Sequence, residues 1–402
     1  MRSVGDLKNI RGKRVLVRVD FNVPIERGVI ADDTRIQAAL PTIDFLLKRG
    51  AKVILMSHFG RPKVTKGSRI KDQGLSIVAE RLGELLKRKV QTVEKWDFRE
   101  IERVVKNLKA GEVLMLPNLR LHSGEEKNSP AFARELSRLA PVYVNEAFSV
   151  THRKHASVAG VSKLLPAYAG FRLLEELDIL GKLLDKPEPP LVVLMGGAKL
   201  SDKAALIKKL VYRAQTVLIG TALANTFFKA AGYGVGASLV DGQAVREAKL
   251  LLKNKKIILP EDLVIGDPEN PQGKLEVVEI QKNTKPYALC SAPYAIVDIG
   301  PRTILSFARH LKSARTLLWN GPVGMYEIKR YSHGTMALAR LFASRSRGRA
   351  FGVIGGGETI DAMRKTGMIE YVDFISTGGG AMLEFLSGKK LPGIVALYAR
   401  SK

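Results

Sequence analysis

The chain has 402 residues, a formal net charge of +26, 46% hydrophobic and 26% charged residues. That length exceeds what one compact core usually serves and predicts two domains, and the apolar fraction places the chain among globular proteins. No run approaches the roughly 18 apolar residues of a membrane span, no apolar secretory core precedes the first strand, and the single Cys290 excludes an intrachain disulfide and suits a reducing, cytoplasmic setting.

The charge is not a tail: residues 1–170 carry +14 and residues 171–402 carry +12. Such a field attracts anions in general. Nucleic acid and phosphorylated metabolites both qualify. No helix-turn-helix, zinc-finger or aromatic-rich RNA motif accompanies the charge, so no specific nucleic-acid partner is expected.

Residues 15–19 are an apolar run of the kind that parallel strands leave in a sheet interior. The run ends in Asp20, Phe21, Asn22, Val23 and Pro24. Ligands of open α/β folds bind beyond the carboxyl ends of strands, which puts Asp20 and Asn22 where a polar substrate would be held. The alternative is a turn closed by Pro24. Ile36, Ala39, Leu40, Ile43, Leu46 and Leu47 then recur with helical period, with Asp33 or Thr34 as the cap and Arg35 in the opening turn. Further short apolar runs at 53–56, 113–116 and 142–144 read as strands. His58 and Arg61 follow the first of these, Arg120 the second and Arg153 the third. Guanidinium groups bind phosphate and carboxylate oxygens bidentately, so these cations suit a small ligand with more than one anionic group. Solvated surface arginines are the alternative. His152 and His155 lack zinc spacing and are read as solvent or anion contacts.

Residues 171–184 form a long helical pattern, and Pro187, Pro189 and Pro190 end it at a domain boundary. Apolar runs at 191–195, 217–219, 316–319, 351–354 and 374–376 follow, most of them closed by glycine. Strands alternating with helices predict parallel sheets with right-handed crossovers. The segment GGAKLSDK, 196–203, is expected to open a helix, with Lys199 and Lys203 on one helical face beside glycines that let phosphates approach. Its spacing is not that of a Walker A loop. GGGET, 355–359, and TGGGA, 377–381, are two more glycine-rich strand-to-helix turns, and Glu358 offers Mg²⁺ a carboxylate. Helix capping in tight turns is the alternative for each. GYGVGA, 232–237, follows a helical segment and is rejected as a dinucleotide fingerprint. A multi-anion pocket in one domain and a polyphosphate pocket in the other suit phosphoryl transfer, with closure excluding water. A carboxylate acceptor is already ionised at neutral pH and needs charge neutralisation rather than a base.

At this point the chain resembles the phosphoglycerate kinases over almost its whole length. RVDFNVP, DDTRI, SHFGRP, NLRLH, EAFSVTHR, GGAKLSDK, DIGPRT, WNGPVGMYE, GGGET and STGGGA occur in the family's order. The resemblance implies an α/β fold of two doubly wound parallel-sheet domains joined by an interdomain helix and hinge. Residues 1–170, completed by about 385–402, would hold phosphoglycerate, 171–187 would be the interdomain helix, and 188–384 would hold the nucleotide. It implies a cytoplasmic, monomeric enzyme with no membrane partner. Its reaction would be the reversible, Mg²⁺-dependent transfer of a phosphoryl group from ATP to the carboxylate of 3-phosphoglycerate, giving 1,3-bisphosphoglycerate and ADP.

By motif match, Asp20, Phe21, Asn22, Arg35, His58, Phe59, Gly60, Arg61, Arg120 and Arg153 would hold phosphoglycerate. Lys199, Lys203, Gly220, Asn320, Glu327, Gly356, Gly357, Glu358 and Thr359 would hold the nucleotide, with Glu358 on the metal. Arg35, Lys199, Gly378 and Gly379 would stabilise the phosphoryl group in flight. The chain departs from the family pattern in several places. Glu358 stands where Asp is more familiar, Thr221 and Ala222 replace glycines, Ile296 and Val297 replace a Gly-Leu pair before Asp298, and Pro117 stands before Asn118 where an acidic residue is common. The changes at 221–222 and 296–297 fall in the family's adenosine pocket. A different carboxylate kinase on this scaffold would be expected to lack Arg61, Arg120 or Arg153, and all are present.

Overall fold

A computed structural model describes residues 1–62, 75–281 and 285–398. The chain divides into two compact units, Met1–Ile179 with Lys390–Lys402, and Leu180–Lys389. One division falls inside the helix Phe171–Asp185.

The first unit is built on a six-stranded, wholly parallel sheet in the order Val90–Thr92, Val113–Met115, Lys52–Met56, Arg14–Arg18, Val142–Asn145, Ala167–Ala169. The chain begins at the centre, moves to one side, then crosses to the other, so the strand order reverses at Arg14–Arg18. Both faces of that strand are covered: Val15 and Val17 enter one core with Val53, Leu55, Val113 and Val144, while Leu16 and Arg18 are fully buried on the opposite face. This is why the sequence there is continuous rather than alternating. The helix Thr34–Lys48 buries Ile36, Ala39, Ile43, Leu46 and Leu47, the face its period marks. Asp33 stands at the N-cap position without capping it. Its carboxylate accepts from Gln37 Nε2 at 2.7 Å and pairs with Arg81 at 2.8 Å, while Asp32 Oδ1 accepts from the Thr34 amide at 2.9 Å.

Glu146 receives the start of the helix Phe171–Asp185. Its Oε1 accepts from the Arg172 amide at 3.0 Å, and the Phe171 amide donates to Thr42 Oγ1 at 2.8 Å. Burial pushes the Glu146 carboxyl up to about 8. The short helix Pro392–Tyr398 packs on the first unit, with the Gly393 amide donating to Thr151 O at 2.8 Å. A Cβ at Gly393 would meet Val158 at 2.7 Å and the Thr151 backbone at 2.9 Å, so a side chain there would hold the helix off. Residues 399–402 of the expected C-terminal return lie outside the described residues.

The second unit repeats the plan: a six-stranded parallel sheet in the order Ile257–Ile258, Thr216–Ile219, Leu191–Met195, Thr316–Asn320, Phe351–Gly355, Phe374–Ser376. Its order reverses at Leu191–Met195. Val192, Leu194, Leu317, Trp319 and Ile354 pack with Phe307 and Phe342 of the covering helices. Beside it stand elements the sequence pattern does not announce. An antiparallel sheet pairs Glu276–Glu279, Asp262–Gly266 and Ala295–Ile299, and a short parallel pair joins Gly234–Val235 to Ala288–Cys290. The helix Thr221–Ala230 precedes Gly234–Val235, so GYGVGA follows a helix, as expected. Among the described residues, no helix is long and apolar enough to cross a membrane.

Candidate active site

Each unit presents a cluster at the carboxyl end of the strand where its sheet order reverses, the position at which open α/β sheets bind ligands.

In the first unit, Asp20 follows the central strand. Arg35 Nη1 and Ser149 Oγ both donate to Asp20 Oδ2, and the Asn22 amide donates to Oδ1 at 3.2 Å. Burial works against ionisation of Asp20, but Arg35 above all, with Ser149 and Arg18, holds its carboxyl below the usual range. The neighbouring loop is bound to it residue by residue. The Phe21 amide donates to Ser57 Oγ at 2.9 Å, and the Gly60 amide donates to Asn22 Oδ1 at 2.8 Å. Asn118 clamps Phe59 by accepting from its amide at 3.0 Å and donating to its carbonyl at 2.7 Å. Arg120 Nη1 donates to Gly60 O, and Gly60 itself has φ +57°. Arg153 follows the 3₁₀ turn Phe148–Val150, and its Nε donates to His152 Nε2 at 3.2 Å.

The arginines sense one another. Burial, then Arg153, and further Arg61 and Arg18, push the Arg120 guanidinium down. Burial also pushes the His58 imidazole down to about 3, against the pull of Asp20 and with Arg18, Arg120 and Arg153 adding to the effect. Asp20 and Asn22 thus do form a turn, and that turn also belongs to a hydrogen-bonded cluster with Arg35, Ser149 and Gly60, while Arg61 is exposed and Arg153 half-buried. His155, expected to meet solvent or an anion, turns toward a carboxylate of the protein itself. Its side chain is 13% exposed with Nδ1 3.7 Å from Glu125 Oε1, because the turn Ala156–Gly160 carries it inward against that buried carboxylate.

In the second unit, Gly196, Asn320, Gly355 and Thr359 meet at adjacent strand ends. Lys203 Nζ donates to Gly196 O at 2.5 Å and to Asn320 O at 3.0 Å. Asn320 Nδ2 donates to Gly355 O at 2.6 Å, and the Gly321 amide donates to Thr359 Oγ1 at 2.6 Å. Gly356, at φ +97°, turns the strand Phe351–Gly355 into the helix Gly357–Lys365, whose first turn carries an exposed Glu358. Gly220 ends the strand Thr216–Ile219 and caps Thr221–Ala230; a Cβ there would meet the Val323 backbone at 2.7 Å. The Thr221 hydroxyl is turned away to donate to Val323 O at 2.7 Å, and Ile296 and Val297 lie buried in the strand Ala295–Ile299. Gly379, at φ +51°, caps the helix Gly380–Leu386, and the Gly378 amide donates to Ser376 Oγ at 3.1 Å.

One expectation fails. Residues 196–203 are not helical. The helix is Ala204–Leu210 with Lys203 as its N-cap, so Lys199 and Lys203 do not share a helical face. Gly197 adopts φ +94° and the Ser201 amide is drawn to Asp241 Oδ2 at 2.8 Å, which keeps this stretch a turn. The two lysines consequently differ. Lys203 is buried, and burial pushes its ammonium down to about 8 against the pull of Glu358 and Asp202. Lys199 is exposed, as is Glu327, which lines a cleft of about 570 Å³ with Lys329, His333 and Arg340. Among the described residues, no group of three or more His, Cys, Asp or Glu could hold a metal by itself.

Sequence reasoning missed Arg18, Asn118, Glu125, Ser149 and Ser157. Only Arg18 carried a signal: a cation inside an otherwise apolar parallel strand must find a partner in the interior.

Two α/β units, each with an anion-suited cluster at its switch point, have the arrangement a phosphotransferase needs. The family model described as Phosphoglycerate kinase matches residues 4–389. The chain belongs to the phosphoglycerate kinase family. It is 48% identical to the phosphoglycerate kinase of Moorella thermoacetica over 394 residues, covering 96% of this chain and 97% of that one. It is 44% identical to that of Rubrobacter xylanophilus over 100% and 99% of the two chains. Its fold matches the structures of the phosphoglycerate kinases from Coxiella burnetii (TM-score 0.83, 35% identity, 100% and 99% covered) and Pyrococcus horikoshii (0.84, 31%, 99% and 98%).

Proposed function

We propose that the two clusters carry out the family's transfer of a phosphoryl group between ATP and 3-phosphoglycerate in the following way. Asp20, Phe21, Asn22, Arg35, His58, Phe59, Gly60, Arg61, Arg120 and Arg153 hold phosphoglycerate. Lys199, Lys203, Gly220, Asn320, Glu327, Gly356, Gly357, Glu358 and Thr359 hold ATP. The observation that carries this reading is that Arg120, bound to Gly60 O beside the Asp20 cluster, is lowered by burial first and then by Arg153, Arg61 and Arg18, against the pull of Glu126. Like charges repel, and a ligand with several negative oxygens relieves that repulsion. A coupled assay of ATP-dependent phosphorylation of 3-phosphoglycerate tests it; turnover no faster with 3-phosphoglycerate than with acetate would defeat it.

The acceptor carboxylate attacks the γ-phosphorus as an ionised nucleophile, the bond from that phosphorus to the β–γ bridging oxygen breaks and ADP leaves with its electron pair, so no side chain needs to remove a proton. Arg35 and Lys199 neutralise the oxygens of the moving group, and Gly378 and Gly379 offer it backbone donors, Gly378 giving up Ser376 Oγ to do so. Mg²⁺ fits the donor set: it binds through one or two carboxylates together with substrate phosphates and keeps its waters, and Glu358 is one exposed carboxylate beside the Lys203 cluster. When bound, it shields the β- and γ-phosphate charge. Transfer requires both substrates to be within reach of one another, so the units close when both are bound. Small-angle scattering should show a smaller radius of gyration with both substrates than with neither, and equal radii would contradict closure. The enzyme works as a cytoplasmic monomer.

Smaller predictions attach to single residues. Arg153→Ala should raise the KM for 3-phosphoglycerate by roughly tenfold to a hundredfold, the range for a lost charge-assisted hydrogen bond; an unchanged KM would remove Arg153 from the site. Glu358→Asp should keep its Mg²⁺ dependence, whereas Glu358→Ala should need more Mg²⁺ for half-maximal rate. Lys203 predicts a pH effect. Its ammonium titrates at about 8 in the folded protein, below the ordinary lysine value, and only the cation attracts phosphate. The KM for ATP should therefore rise as pH increases through 8, and Lys203→Arg should move that rise to higher pH.

A further inference from the structure

Arg18 adds to the positive field of the first cluster but is assigned no substrate contact above, and it is fully buried at the strand end beside His58. Each of its three nitrogens has a partner. Nε donates to Ser157 Oγ at 3.0 Å, and Nη1 donates to Val19 O. Nη2 lies 3.2 Å from His58 Nδ1. Ser157 in turn donates through Oγ to Glu125 Oε1 at 2.6 Å and through its amide to Oε2 at 3.0 Å. Tyr143 OH donates to Ser157 O at 2.9 Å, anchoring the same residue from the sheet.

The direction of these bonds is not free. A guanidinium has donors only and stays protonated. Ser157 Oγ must accept from Arg18 Nε, so its own proton goes to Glu125. By the same rule His58 Nδ1 must accept from Arg18 Nη2. The other group near Nδ1 is Asp20 Oδ1 at 3.8 Å, outside hydrogen-bond range. Asp20 is already supplied by Arg35, Ser149 and the Asn22 amide. With Nδ1 accepting, the ring proton sits on Nε2. A second proton would have to enter against the guanidinium, and burial, Arg18, Arg120 and Arg153 all oppose it, with Asp20 alone pulling the other way.

We propose that Arg18, oriented by Ser157 and Glu125, is a positioning residue that holds His58 as the neutral Nε2–H tautomer, so that His58 meets its anionic substrate as a hydrogen-bond donor. The proposal rests on the reading that His58 touches phosphoglycerate. An imidazole free to exchange tautomers would offer that substrate a lone pair for part of the time. Glu125 and Ser157 thus tune the site through two intervening side chains without contacting the ligand, as partners behind a histidine do in other sites.

The tautomer can be read directly. Long-range ¹H–¹⁵N correlation spectra of the full chain at neutral pH, with His58 assigned by its loss in His58→Gln, should show Nε2 protonated and Nδ1 bare. Glu125→Gln keeps the arginine but loosens it, and should bring the Nδ1–H form into view; Arg18→Met should do so more fully. Arg18→Met should also raise the KM for 3-phosphoglycerate roughly tenfold, the cost of one misdirected hydrogen bond. In a His58→Gln background, where the amide donor needs no tautomer, the same substitution should raise KM markedly less. An Nδ1–H ring in the unsubstituted protein would overturn the proposal without any variant having to fold. So would an unchanged tautomer in both Glu125→Gln and Arg18→Met. A KM unmoved by His58→Ala would instead overturn the reading of His58 as a substrate contact, an outcome the spectra distinguish from failure of the Arg18 role.

Discussion

Arg35→Ala and Lys199→Ala are each expected to lower kcat by on the order of 10²–10³, the usual loss for one preorganised transition-state donor, while ATP affinity changes far less. The two cations belong to different units. Arg35 is held by Asp20 Oδ2 with 31% of its side chain exposed. It is thus pinned in direction yet open on one side, as a group waiting for developing charge should be. Lys199 is exposed and, unlike buried Lys203, takes no part in the Gly196–Asn320 cluster. Their contribution should accordingly appear in the transition state rather than in either ground-state complex. Steady-state kinetics with a separate titration of ATP binding is the measurement. If each variant only raised one KM and recovered normal turnover at saturation, Arg35 and Lys199 would be anchors and not catalytic groups.

Gly196→Ala should produce the largest structural effect. A Cβ at this position would stand 1.7 Å from Pro322 O and 2.6 Å from Gly321 O. Both are backbone atoms, so no side chain can turn aside. The strand ends Leu191–Met195 and Thr316–Asn320 would have to separate, and the Lys203 bonds to Gly196 O and Asn320 O would go with them. Overpacking of this kind costs about 1–3 kcal/mol, and more where the backbone must move. Urea unfolding followed by Trp319 fluorescence in a Trp96→Phe background should register the loss, and the KM for ATP should rise with it. Gly357→Ala, where a Cβ meets nothing within 4 Å, is the matched control and should be nearly silent in stability. Equal midpoints for the two variants would show that the 196–321 approach is not needed for the fold.

The architecture was legible because its signals are local. Continuous apolar runs ended by polar residues or glycine gave nine of the twelve strands of the two parallel sheets nearly residue for residue, as at Leu191–Met195 and Phe374–Ser376, but not the short edge strands Val90–Thr92, Ala167–Ala169 and Ile257–Ile258. The helical period of Ile36 to Leu47 marked the face that is buried. The antiparallel sheet around Asp262–Gly266 escaped because one of its edges, Glu276–Glu279, is short and largely exposed and leaves no core pattern. At GGAKLSDK the spacing of Lys199 and Lys203 suggested a shared helical face, but helical spacing counts only where the backbone is helical. A left-handed Gly197 and the pull of Asp241 on Ser201 prevent that.

The sequence by itself determined which residue types stand at which strand ends, and its motifs, in their order, carried the resemblance to the phosphoglycerate kinase family. Strand period, glycine conformation and the chemistry of arginine are properties of short segments, and they survive without a fold. Tertiary structure alone decided how those residues are charged and aimed. Asp20 is ionised because Arg35 and Ser149, fifteen and 129 residues away, supply its oxygens. His58 is neutral because burial and three arginines from other strand ends oppose its proton. Lys203 titrates near 8 because burial desolvates its ammonium beside the Gly196 and Asn320 carbonyls, against the pull of Glu358 and Asp202. Protonation and hydrogen-bond direction depend on desolvation and on partners distant in the chain, and those exist only once the sheets have closed over them.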